Sequence, residues 1–132
     1  MSRLALSRHS VRDKALEVAI AFETLLEDGG NAEMTHKIKV RTTRLIGGSA
    51  AERERNAAIV GKTYEVRSAL VHKGHVDSSM SLRLRPGEAK ISAENVVALA
   101  IGVCAELIWT ILRRQDIPVW TSFDIAEPMG AE

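Results

Sequence analysis

The sequence predicts an all-α fold: a bundle of four main helices with a short C-terminal tail packing back, in one domain over residues 1–132. Three observations carry this. Apolar residues recur at steps of three and four along several long stretches. Aromatic residues make up only 4% of the chain, while Ala, Leu, Val, Ile, Glu and Arg dominate, a composition that suits helix packing better than a sheet. Gly-Gly pairs and a Gly near the middle then punctuate the stretches where helices should stop.

The first helix is expected from about Leu4 or Val11 to about Glu27. Val11, Ala15, Val18, Phe22 and Leu25 form one apolar stripe, which Leu16, Ala19, Ile20 and Leu26 widen. Gly29-Gly30 ends it. A second helix is expected from about Ala32 to Leu45, with Asn31 as N-cap, Met34, Ile38, Arg41 and Leu45 on one face, and Gly47-Gly48 as its stop.

Ser49-Ala50-Ala51-Glu52 reads as a capping box that starts the third helix, because a Ser hydroxyl and a Glu three residues later can each bond the other's backbone N–H. This helix should reach His72 or Lys73 and stop at Gly74. One face carries Ile59, Thr63, Val66 and Leu70, and the neighbouring one Val60, Tyr64, Arg67 and Val71. An arginine inside an apolar row is a local inconsistency of the kind functional sites produce.

Residues from about His75 to Lys90 read as a loop with a short extended piece at Leu82-Arg83-Leu84-Arg85. The fourth helix should start near Ser92 and end near Arg114, where Arg113-Arg114 suits its negative end. Pro118 blocks continuation, and Trp120 and Phe123 should bring the tail back onto the bundle. Val96–Leu112 is apolar except for Glu106 and Thr110. As a helix it would span roughly 25 Å, short of the ~30 Å hydrocarbon core, so burial on several sides of the bundle is the expectation and no membrane is.

Eighteen Lys and Arg against 17 Asp and Glu leave a net charge of +1, so no broadly cationic surface is available for nucleic acid. Any such binding must be local. The single cysteine, Cys104, rules out an intrachain disulfide framework and suits a reducing cytosol. No signal-peptide core precedes the first helix, which points the same way. His9 and His36 are isolated, so no metal is expected.

The chemistry concentrates in Tyr64-Glu65-Val66-Arg67-Ser68-Ala69-Leu70-Val71-His72-Lys73-Gly74. Metal-free RNA cleavage needs a base to take the ribose 2′-hydroxyl proton and an acid to protonate the leaving 5′-oxygen. It also needs a cation to hold the charge on phosphorus oxygens. Histidine, with an ordinary pKa of about 6.5, suits the first two tasks, and the arginine fork suits the third. Residues five apart on an ideal helix point about 140° apart, so Arg67 and His72 do not converge on a straight helix. Either the last turn unwinds, or two copies face each other across a two-fold axis. Ser68, four residues before His72, shares its face and can orient the ring or bond substrate.

This pattern resembles HEPN domains, whose signature is an Arg followed after four to six residues by a His near a helix end. More narrowly it is similar to the Apea-like HEPN group. The matching segments are Ala19–Leu26, Val40–Gly47, Tyr64–His72 and Pro118-Val119-Trp120, in the expected order. The resemblance implies an all-α dimer with Arg67 and His72 at the site, metal-free endoribonuclease activity in active members, and no cofactor. It also implies a toxin–antitoxin or antiviral setting, with a cognate antitoxin or a larger protein as possible context. The family often has Gly directly after the His, where this chain has Lys73 and then Gly74. The residue after the Arg is often a larger polar one, where this chain has Ser68.

Blander readings stand beside these. Arg67 can be a structural partner of a helix-1 carboxylate, and His72 a helix cap. Glu23, in the apolar part of the first helix, must be paired if buried, with Arg41 or Arg67. Tyr64 can simply pack with its hydroxyl satisfied; Lys73, His75 and Arg41 are the candidate substrate-binding cations, of which Lys73 and His75 can instead be merely solvated. Trp109 and Trp120 are expected in the core or at a dimer interface. The alternative function is a catalytically silent HEPN dimer that binds a nucleotide, RNA or protein.

Overall fold

A computed structural model describes residues 3–26, 33–73, 80–116 and 118–126. The chain order is α1 (Arg3–Leu26), α2 (Met34–Ile46), α3 (Ala50–Lys73), β1 (Ser81–Leu82), β2 (Ile91–Ser92), α4 (Ala93–Arg114) and α5 (Trp120–Ala126). The four long helices pack on one another, and the all-α class holds.

Their boundaries follow from local chemistry. Ser49 and Glu52 make the reciprocal capping box, Ser49 N–H donating to Glu52 Oε1 at 2.8 Å and Glu52 N–H to Ser49 Oγ at 3.1 Å. The Ser49 backbone N–H first, and the Ser49 side chain second, hold the Glu52 carboxyl below its ordinary pKa. Ser92 caps α4 by accepting from Asn95 N–H at 3.1 Å. Gly47 ends α2 at φ 74°, a left-handed turn suited to glycine, and its N–H bonds Thr43 O at 2.9 Å. The start of α2 differs from expectation: Glu33, at φ 55° and without a side-chain cap bond, precedes Met34, while Asn31 lies outside the described residues.

Phe22, Leu26, Ile38, Ile59, Val60, Ala100 and Leu107 form the main core, and Trp120 and Phe123 close it from α5. Their rings meet edge to face with centroids 5.4 Å apart, a favoured aromatic geometry. The tail therefore returns as expected, although as a short helix. A second cluster, Ala15, Val66, Leu70, Leu82, Ala93, Val96 and Val97, joins α1, α3 and the start of α4.

The connection before α4 departs from the sequence expectation. The extended piece is Ser81–Leu82, not Leu82–Arg85, and it pairs antiparallel with Ile91–Ser92 in the register Ser81↔Ser92, Leu82↔Ile91. Buried Leu82 anchors β1 on the second cluster, whereas Leu84, beyond the strand, packs against the main core.

The outer faces of α1 and α4 also differ from expectation. On α1, Ile20 was placed with the apolar stripe but is 57% exposed. Helix α4 is long and apolar enough to cross a membrane, yet only 44% of that span is buried. It packs on α1, α2 and α3 from one side, so Ile101, Ile108, Trp109 and Leu112 remain exposed. Trp109 is thus not a core residue.

Candidate functional site

The third helix carries the Arg67-to-His72 motif and owes its placement to the buried face formed by Ile59, Thr63, Val66 and Leu70. Thr63 satisfies its hydroxyl on Ile59 O at 2.7 Å, so it costs the apolar face little. The neighbouring row climbs from the core to the surface. Val60 and Tyr64 are buried, Arg67 is 38% exposed at its side chain, and Val71 and His72 are exposed. The arginine therefore sits where the row leaves the core, and the inconsistency noted in the sequence is resolved by that emergence.

Three groups meet there. Tyr64 Oη donates to Glu23 Oε2 at 3.0 Å, and Arg67 Nη1 lies 3.4 Å from the same oxygen. The Arg67 guanidinium carbon also stands 5.9 Å from the Tyr64 ring centroid, within reach of the ring's negative face. Glu23 thus pairs with Arg67 and not with Arg41. Tyr64 is pushed well above the ordinary phenol pKa, first by burial and then by the Glu23 charge, with Arg67 opposing.

The helix runs without interruption through Lys73, so the last turn does not unwind and Arg67 and His72 do not converge within one copy. His72 is exposed and makes no side-chain bond among the described residues, and Ser68 is exposed on the same face. Side-chain placement at Lys73 and the whole of His75 lie outside the described residues.

Arg41 is elsewhere. It is 2% exposed and serves the core edge, donating through Nε and Nη2 to Asp124 at 3.1 Å and 2.7 Å and through Nη1 to Leu26 O at 2.6 Å. Its guanidinium carbon lies 5.0 Å from the Trp120 ring centroid. Arg41 is therefore not a substrate-binding residue, contrary to expectation: a guanidinium with this set of internal acceptors has no face left for a phosphate. Sequence reasoning missed Asp124, which lies 83 residues further on in the tail and carries no local signal. It also passed over Asn56, a polar side chain only 8% exposed, whose signal is its place on the inward row with Ile59, Val60 and Thr63.

Chemically, the outer end of α3 offers a permanent cation held from behind by a carboxylate and a phenol, and an imidazole open to solvent one and a half turns on. No known family model, characterised protein or solved structure matches the chain, so the site is read from its own residues.

Proposed function

We propose that this protein is a metal-independent endoribonuclease of HEPN type, acting as a homodimer in a toxin, defence or RNA-processing setting in the cytoplasm. The observation that supports it is the held yet accessible Arg67, with Glu23 Oε2 at 3.4 Å and 38% of its side chain exposed, on the same helix end as an exposed His72 that bonds no other side chain among the described residues. Pre-set orientation of a guanidinium is what stabilisation of a charged phosphoryl transition state requires.

In this reading His72 takes the 2′-hydroxyl proton, and the resulting alkoxide attacks the adjacent phosphorus. The phosphorus–5′-oxygen bond breaks, leaving a 2′,3′-cyclic phosphate, and the second copy's histidine protonates the 5′-oxygen. Arg67 holds the non-bridging oxygens, and Ser68 supports substrate or ring. The 140° divergence on an unbroken helix makes a second copy necessary. Exposed apolar side chains flank the motif: Ile20 lies three residues before Glu23 on α1, and Val71 four residues after Arg67 on α3.

His72→Ala is expected to abolish cleavage of a mixed RNA pool in EDTA while the far-ultraviolet helical spectrum stays unchanged. Equal cleavage by variant and wild type refutes the assignment. The second reading is a silent binding dimer, favoured by one observation: Arg67 is already paired with a carboxylate. It expects soluble protein without RNase activity and no His72-dependent toxicity on expression.

A further inference from the structure

At the other end of α3 a cavity of about 180 Å³ opens between the α2–α3 turn and α4. Its wall is the Gly47-Gly48 backbone, its rim carries Arg55 and Glu106, and Asn56 and Glu52 line it as well. Glu52 is fixed there by the capping box. Gly48 sits at a φ of 94°, where any other residue is strained, and a Cβ there would stand 2.8 Å from Glu52 Oε1 and displace it, so glycine suits the turn beside that carboxylate.

Asn56 is the telling group. It is more than nine-tenths buried, yet its carboxamide makes no hydrogen bond with the described residues. Neither of its polar atoms is among the fully enclosed unpartnered ones, so the amide opens on the cavity it lines. A buried amide left without a protein partner loses free energy unless something in the cavity bonds it.

We propose that this cavity binds a guanine base, with the nucleotide's phosphate held outside it by Arg55. A carboxamide presents one donor beside one acceptor, which matches guanine O6 and N1–H on a single edge. The next group along that edge is the 2-amino group, a donor that the Glu106 carboxylate at the rim can accept. Adenine places a C–H there. Cytosine and uracil place O2 there, a lone pair facing a negative charge. The carboxylates of Glu52 and Glu106 also keep a phosphate from entering, so the base goes in and the phosphate stays at the rim.

Two sources present this chemistry, a free guanine nucleotide and a guanine within single-stranded RNA. Asn56 lies eleven residues before Arg67, about 16 Å along α3, so a strand held at the cavity could run to the motif. Only that last link rests on the ribonuclease reading.

The test is titration of the intact protein with guanosine 5′-monophosphate, followed by calorimetry and by amide shifts around residues 46–56. Saturable binding is expected, weakened roughly tenfold or more for inosine 5′-monophosphate, which lacks only the 2-amino group, and by a similar factor in Glu106→Ala. The inosine comparison needs no variant, so folding does not confound it. Equal affinity for the two nucleotides, or no saturable shifts with the guanosine nucleotide, overturns the proposal. An oligoadenylate carrying one guanine separates the sources: tighter binding than the mononucleotide marks a strand, equal binding a free nucleotide. Because binding and not cleavage is read, an inactive His72 motif leaves this result intact.

Discussion

Glu23 Oε2 is shared between two side chains from α3, accepting from Tyr64 Oη at 3.0 Å and facing Arg67 Nη1 at 3.4 Å. Since the chain has one tyrosine, absorbance near 295 nm on raising pH reports Tyr64 alone. Burial and the Glu23 charge raise its folded pKa above the ordinary value of about 10. The sign follows directly. Above pH ~10 the unfolded chain loses the phenol proton while the folded one keeps it, so stability is full below that pH and declines as pH rises further. Phenolate absorbance is therefore expected to appear only with unfolding, and Glu23→Gln, which removes the second cause, should move its onset down. An ordinary phenol titration in the folded wild type would contradict the described contact.

At the level of elements, the question is what fastens a seven-residue α5 to the bundle. Such a helix is too short to persist by itself in water and depends on tertiary contacts. Arg41 and Arg44 on consecutive turns of α2 supply them. Arg41 bonds the Asp124 carboxylate, and Arg44 Nη1 reaches the carbonyls of Phe123, at 3.2 Å, and of Asp124. Trp120 then covers the Arg41 guanidinium. Asp124→Ala removes the anion and leaves Arg41 buried with only part of its bonding. A fully buried pair broken on one side costs about 3–5 kcal/mol. Asp124 is 33% exposed, and solvent screening lowers the expected loss to about 2–3 kcal/mol. Urea unfolding should read it as an earlier midpoint. An unchanged midpoint would show that the Arg41–Asp124 pair does not fasten α5.

For the molecule as a whole, geometry ties the proposed activity to a proposed assembly. A straight α3 cannot turn Arg67 and His72 onto one phosphate, so the proposed chemistry requires a second copy. Ile20 and Val71, 57% and 67% exposed beside the motif, are where apolar burial would join two copies. Wild-type protein is expected to sediment as a dimer at micromolar concentration. The double variant Ile20→Glu, Val71→Glu should sediment as a monomer without cleavage, although both motif residues are intact. A monomeric wild type that cleaves RNA would remove the paired site and require a different base.

Periodicity and capping chemistry, which act over one or two turns, were sufficient to locate α1, α3 and α4 from the residues alone. The Ser49–Glu52 box and the Ser92 cap are local hydrogen-bond patterns written in consecutive residues, and Gly47 marks a left-handed stop for the same reason. The Arg67-to-His72 motif was visible likewise, as a charge inside an apolar row. Only the tertiary structure decided which carboxylate each arginine meets, because Glu23 and Asp124 reach their partners across the packing of separate helices. Packing also decided that Ile20 and Trp109 face outward, that Ser81 pairs with Ser92, and that Asn56 lines a cavity. Local sequence sets the conformation of a turn, but burial depends on which surface another segment happens to cover.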